Sequence, residues 1–239
     1  MPEEINRTLT DHISDFLFTT EESGNVNLKN EGIPKKKIFF VGNVMIDTLL
    51  NHKEEAQKSR ILKKLTLMKN NYAVLTLHRP SNVDNKNTLK CILYILEQIQ
   101  KKIKIVFPLH PRTLKSIQNF ELNKKTKKQR NLIVTKPLGY LDFLCLMNNS
   151  KFVITDSGGI QEETTVLGVP CITMRNNTER PVTVKEGTNI LVSTDKDKII
   201  NSVNNIINGI NLKDNIPKLW DGKAAERIVN ILIKNFSSK

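Results

Sequence analysis

Residues 151–174 read KFVITDSGGIQEETTVLGVPCITM. A short apolar run, Lys151–Thr155, leads into a Ser-Gly-Gly turn, then a helix-forming stretch, then a second apolar run, Val169–Met174. Strand, tight turn, helix, strand is the order of a β-α-β unit, because two parallel strands can be joined only by a crossover. The alternation continues towards the N-terminus. Tyr72–Leu77 (YAVLTL), Lys104–Leu109 (KIVFPL) and Asn131–Thr135 (NLIVT) are further short apolar runs of strand length. Between the first two, Asn87–Lys102 places Leu89, Ile92, Leu93, Leu96 and Ile99 on one helical face. The expected fold is therefore α/β, a Rossmann-like parallel sheet. Ligands on such sheets bind at the carboxyl ends of the strands, and His78, His110 and Ser157 all lie at or just after a strand end.

Residues 1–44 do not extend this unit. Pro2–Phe18 reads as a helix with an acidic start suited to the positive end of its dipole. It runs into a short strand at Leu17–Thr20, and a second helix follows around Glu21–Glu31. One strand and two helices are too little for a domain and read as the tail of one. The expected division is 1–44 as a remnant of an N-terminal Rossmann-like domain and 45–220 as the ligand-binding Rossmann-like domain. Residues 221–239 follow as a helix packing back on the first part. In that helix Ala225, Ile228, Val229 and Leu232 follow the spacing of one apolar face.

Composition bounds the function. The chain has 239 residues with 38% apolar content, enough for a normal core. Its formal charge of +13 raises nucleic acid or an anionic membrane as partners. However, only eight of the 37 basic residues are Arg, and the lysines fall in surface-like runs such as Lys35–Lys37 and Lys124–Lys128. With 5% aromatic residues there is little for bases to stack on, so no nucleic-acid role is expected. No apolar run reaches bilayer length, and the Met1-Pro2-Glu3-Glu4 start has no signal-peptide pattern, so the expectation is a cytoplasmic protein with no membrane partner. Cys91, Cys145 and Cys171 lie in apolar stretches without metal-ligand spacing and read as buried, reduced core thiols.

The chemistry concentrates in Asp156-Ser157-Gly158-Gly159-Ile160-Gln161-Glu162-Glu163. Two glycines admit a ligand close to the backbone, and the helix that follows offers unpaired N–H groups and a positive dipole end. Ser157 adds a hydroxyl. The arrangement suits a diphosphate, although a Ser-Gly-Gly turn also serves as an ordinary turn. Glu163, one turn into the helix, is placed where a carboxylate holds ribose hydroxyls, while Glu162 reads as a first-turn acid that favours the dipole. Arg180, in the loop Asn177–Pro181, would pair with phosphate or brace that loop.

Taken with LGVPCITMRNNTERP and EGTNILV, the DSGGIQEE stretch resembles the signature of the non-hydrolysing UDP-N-acetylglucosamine 2-epimerases. PEEINRTLTDHISDFLF, VGNVMIDTLL, LTLHRPSNVD and WDGKAAERI are similar to that family too, so the likeness runs from residue 2 to residue 235. The resemblance implies the C-terminal half of a two-domain glycosyltransferase-B-like fold, with most of the N-terminal domain lacking. It implies interconversion of UDP-GlcNAc and UDP-ManNAc by elimination and re-addition of UDP, with no metal and no other cofactor. Carried over to this chain, Ser157, Gly158 and Gly159 contact the diphosphate, Glu163 holds the ribose, and Arg180 lies near the nucleotide. Phe143 packs against uracil, Leu138 offers main-chain contacts, and His78 faces the phosphates as a catalytic-side residue. His110 lies near the cleft and the allosteric substrate site of bacterial members, and Glu3 is the one catalytic carboxylate. The resemblance also implies a homodimer when intact, and a separate N-terminal half as a possible partner. Two alternatives remain open: a non-catalytic UDP-sugar-binding fragment or subunit of a split enzyme, or a UDP-sugar glycosyltransferase of the same fold.

Overall fold

A computed structural model describes residues 2–123, 126, 129–210 and 213–237, with only the backbone of Pro2 and Glu3. Lys124, Lys125, Lys127 and Lys128 of the second basic run lie outside the described residues. The chain divides into two compact units, His52–Ile216 and Met1–Asn51 with Pro217–Lys239.

The larger unit contains β3 (Tyr72–Thr76), β4 (Lys104–Pro108), β5 (Leu132–Thr135), β6 (Phe152–Thr155), β7 (Cys171–Thr173) and β8 (Asn189–Leu191). They form one all-parallel sheet in the order β5-β4-β3-β6-β7-β8. β8 had no counterpart in the sequence reading. At three residues it is too short for the pattern to register, and it is specified by its pairing with β7. The strand order reverses between β3 and β6, which puts the switch point there.

The connections are α5 (Pro80–Val83), α6 (Lys86–Ile99), α7 (Pro111–Asn119), α8 (Tyr140–Asn148), α9 (Gly158–Leu167), α10 (Pro181–Lys185) and α11 (Lys196–Ile207). The α6 helix forms where the spacing predicts it. Asn85 caps it by accepting from the Asn87 and Thr88 amides, and Leu89, Ile92, Leu93, Leu96 and Ile99 are all buried on the sheet. Cys91 corrects the expectation of three core thiols: it falls on the opposite face of α6 and is exposed, whereas Cys145 and Cys171 are buried.

The smaller unit holds α1 (Pro2–Ile13), β1 (Leu17–Thr19), α2 (Glu22–Asn30), β2 (Ile38–Phe40), most of α3 (Val44–Gln57) and α12 (Ala224–Phe236). A short α4 (Ile61–Lys64) follows α3 in the larger unit. β1 and β2 pair in parallel, Leu17 opposite Ile38; β2 is the second strand that the sequence reading lacked. Asp47 ties α12 to α3 by accepting from the Ala224 and Ala225 amides at 3.1 and 2.7 Å. The indole N–H of Trp220 donates to Thr20 O at 2.8 Å. Around this frame Ile5, Leu9 and Ile13 of α1 and Val229, Ile233 and Phe236 of α12 are exposed.

Candidate functional site

Register builds the site. Thr76 of β3 stands opposite Thr155 of β6, their hydroxyls 2.7 Å apart, so the residues that follow each strand emerge together at the switch point. From β3 come His78 and Arg79; from β6 come Asp156 and Ser157. His110 follows β4, and its ring centroid lies 5.4 Å from that of His78.

Ser157 is the N-cap of α9 in extended conformation, yet its hydroxyl makes no capping bond. A cap that leaves the helix amides unsatisfied keeps them, and its own hydroxyl, available to an anion. Gly158 lies beside the 175–180 loop: a Cβ there would stand 3.9 Å from Glu179 Oε2 and 4.0 Å from Arg175 Nη1. Arg175 holds Glu179 through bonds of 2.6 and 2.7 Å, and Arg79 reaches the same carboxylate at 3.3 Å.

Five consecutive polar residues of α9, Gln161 to Thr165, are buried. Thr164 and Thr165 donate to carbonyls one turn back in the helix, and the other three reach beyond it. Gln161 donates to Ser157 O at 3.0 Å and accepts from Thr178 Oγ1 at 2.6 Å and from Asn189 Nδ2 at 3.0 Å. Thr178 in turn accepts from the Arg180 amide at 3.0 Å. One buried amide therefore links the α9 start, β8 and the loop that presents Arg180. Glu162 is only 1% exposed, and its Oε1 lies 2.7 Å from Arg180 Nε. The view of Glu162 as a simple dipole-favouring acid is replaced by a buried carboxylate that orients Arg180, because the 175–180 loop folds over α9.

Glu163 is buried beside Glu162 and lies 3.5 Å from the Tyr140 hydroxyl on α8. Burial pushes its carboxyl up to about 7; the Tyr140 hydroxyl pulls it back and the Glu162 charge adds to the rise. Burial and the Glu163 charge raise the Tyr140 phenol to about 12, so it remains a donor. This contact sets the first turn of α8 against Glu163. Half-buried Phe143 belongs to α8, and Leu138 lies in the loop before it.

His110 caps α7, its Nδ1 accepting from the Arg112 amide at 3.2 Å. Glu3 lies in α1, within the smaller unit, and its side chain is outside the described residues. Sequence reasoning assigned no role to Asp156, Gln161, Tyr140 or Arg79. The available signal was in α9 itself, where a polar run sits between two strands buried on both faces. No group of three or more His, Cys, Asp or Glu that could hold a metal occurs among the described residues, and no described helix is long and apolar enough to cross a membrane.

Six parallel strands reversing order at a glycine-led helix define a Rossmann-like, doubly wound α/β protein. The profile of the UDP-N-acetylglucosamine 2-epimerases matches residues 1–233, and the chain belongs to that family. It is 46% identical over 238 residues to the UDP-N-acetylglucosamine 2-epimerase of Methanocaldococcus jannaschii, covering 97% of this chain. The UDP-2,3-diacetamido-2,3-dideoxy-D-glucuronate 2-epimerase of Pseudomonas aeruginosa is 38% identical and aligns with 98% of the chain. The crystal structure of the Methanocaldococcus enzyme in complex with UDP-GlcNAc and UDP superposes with a TM-score of 0.87 at 45% identity, over 98% of this chain and 65% of that one. The chain spans 64% of the length of both curated relatives.

Proposed function

We propose that the larger unit grips the UDP moiety of a UDP-2-acetamido sugar, and that the chain serves the 2-epimerisation of that sugar. The observation that carries this reading is the uncapped Ser157–Gly159 start of α9 at the switch point. It supplies backbone and hydroxyl donors to a diphosphate. Glu163 accepts from the ribose hydroxyls, Arg180 neutralises phosphate charge, and Phe143 with the Leu138 main chain meets the base. In the reaction the C2 proton is removed and the C1–O bond breaks with its electron pair leaving on UDP, giving a glycal. UDP and a proton then add back with the opposite C2 configuration. His78, Arg180 and the α9 amides stabilise the departing diphosphate, which is where charge develops.

The acid–base carboxylates are a separate matter. At the switch point Asp156 is fully bonded by His78, Arg79 and Asn82, Glu162 and Glu179 are paired with arginines, and Glu163 is buried against the Tyr140 hydroxyl. This favours a second reading, in which the larger unit contributes binding and catalysis requires carboxylates from elsewhere, Glu3 among them. The exposed apolar faces of α1 and α12 support a further N-terminal part, in the same polypeptide or a separate one, as what they pack against.

Incubation of the chain with UDP-GlcNAc in deuterated water tests the enzyme reading, because only elimination and re-addition exchanges the C2 proton. Calorimetric binding of UDP-GlcNAc without exchange selects the binding reading; no binding refutes both.

A further inference from the structure

Asp156 has no exposed surface and is bonded from three directions. Its oxygens accept from the His78 amide at 3.1 Å, the Arg79 amide at 2.9 Å and Asn82 Nδ2 at 3.1 Å. Asn82 also donates to Met174 O at 3.1 Å, so the carboxylate is fixed from the β7 side as well. Its Oδ1 lies 2.9 Å from His78 Nδ1. Burial alone would push this carboxyl up, but the His78 side chain and the two amides outweigh it and hold Asp156 below the usual carboxylate range.

An ionised carboxylate only accepts, so His78 Nδ1 carries the hydrogen. The ring is 39% exposed, and no described residue hydrogen-bonds its Nε2. With Nδ1 committed, a neutral ring presents a lone pair at Nε2, which repels phosphate oxygens; a proton there turns it into a charge-assisted donor.

We propose that Asp156 is the positioning residue that makes His78 a doubly protonated donor to the diphosphate, so that binding of the nucleotide sugar draws one proton from solvent onto His78 Nε2. The inference rests on the UDP reading above. Asp156 stays ionised and Nδ1 keeps its hydrogen; no covalent bond of the ligand changes. The other groups facing His78 do not compete for this task. The His110 ring has its Nδ1 occupied by the Arg112 amide, and the Arg79 guanidinium is turned to Asp156 O at 3.0 Å and to Glu179.

The test labels the chain's four histidines with nitrogen-15 and assigns His78 by the loss of its signals in His78→Gln. At pH 8 the free protein is expected to show a protonated Nδ1 and an unprotonated Nε2. On saturation with UDP-GlcNAc, both nitrogens should become protonated. In Asp156→Asn the fixed tautomer is lost, and UDP-GlcNAc binds at least about tenfold more weakly at pH 8, with a smaller deficit at pH 6 where protons are plentiful. A purely structural role for Asp156 would leave the deficit independent of pH, and that result overturns the proposal. So does an Nε2–H tautomer in the free protein, or an Nε2 still unprotonated in the complex. If Asp156→Asn does not fold, the free and bound spectra of the unaltered chain decide. Absence of any UDP-GlcNAc binding, with the expected tautomer intact in the free protein, overturns the nucleotide reading together with the coupling; the wrong tautomer overturns the Asp156 role alone.

Discussion

Replacing Glu163 by Gln should weaken UDP-GlcNAc binding in a way that depends on pH, with the dependence centred near neutrality. The carboxyl sits at about 7 because burial costs its charged form, and moving it there from 4.5 disfavours ionisation by roughly 3 kcal/mol. In the proposed ribose role only the ionised group offers both oxygens purely as acceptors. Hydrogen bonds to a charged acceptor contribute about 1.5–3 kcal/mol, so Glu163→Gln should raise the dissociation constant by about 10- to 100-fold at pH 8. At pH 5, two pH units below the midpoint, about 99% of Glu163 is protonated in the free protein and the two proteins should bind nearly alike. The ratio of their dissociation constants, taken by calorimetry from pH 5 to pH 8, therefore isolates this carboxylate from every other titrating group. UDP-GlcNAc is the ligand of choice, because the terminal phosphate of UDP would itself titrate near pH 6. The same substitution should stabilise the unliganded chain. A raised carboxyl favours the fold fully below pH 4.5, and that contribution is lost as pH rises to about 7, so Glu163→Gln gains up to roughly 3 kcal/mol at pH 8 and almost nothing at pH 4. An affinity ratio that is constant across the range would refute the argument.

Gly158→Ala should leave the melting temperature within a degree or two, since its Cβ meets only ordinary contacts at 3.9 and 4.0 Å, yet weaken UDP-GlcNAc binding by about tenfold or more by standing where the diphosphate approaches. Gln161→Leu strands the Asn189 and Thr178 donors, and denaturant titration should show a loss of about 1–3 kcal/mol together with weaker binding. Glu162→Gln should cost about 1–2 kcal/mol, less than a fully buried pair because Arg180 is 36% exposed, and calorimetry should show weaker UDP-GlcNAc binding through the released guanidinium. Gly42→Ala puts a Cβ 2.1 Å from Leu219 O at φ +92°, and the fluorescence of the single tryptophan, Trp220, should report a smaller unit destabilised by about 2–4 kcal/mol.

The parts of this fold legible in the sequence are those whose signal is local. Tyr72–Thr76 and Phe152–Thr155 are continuous apolar runs because both faces of a parallel strand are buried, and α6 shows its face through a 3.6-residue period. β2 and β8 are three residues long and owe their conformation to the partner strand rather than to pattern, so nothing local marks them. The α12 helix shows the limit of periodicity. Its spacing predicts an apolar face, but Ala225 and Val229 are exposed in the structure, because amphipathicity specifies a need for cover without supplying it. At the site, Ser157, Glu163 and His78 stand out by chemistry and by their position after strands. Asp156, Gln161 and Glu162 act through register and loop closure, which depend on residues 17 to 78 positions away.

Those less legible residues explain why the visible ones suit an anion. An acidic patch would repel a diphosphate, and Asp156, Glu162, Glu163 and Glu179 all lie near this switch point. Three of the four are held against a donor or cation: Asp156 by His78, Glu162 by Arg180, and Glu179 by Arg175. Burial leaves Glu163 near neutrality, so at pH 7 it carries only about half a charge before a ligand arrives. The field facing a ligand is then set by the helix amides and the outer face of Arg180. The same pairing that makes the crevice hospitable to phosphate removes these carboxylates from proton transfer at C2. Binding a diphosphate and moving a proton at C2 therefore make opposite demands on carboxylates, and the pairing seen in the larger unit favours the first, in line with the proposed binding role.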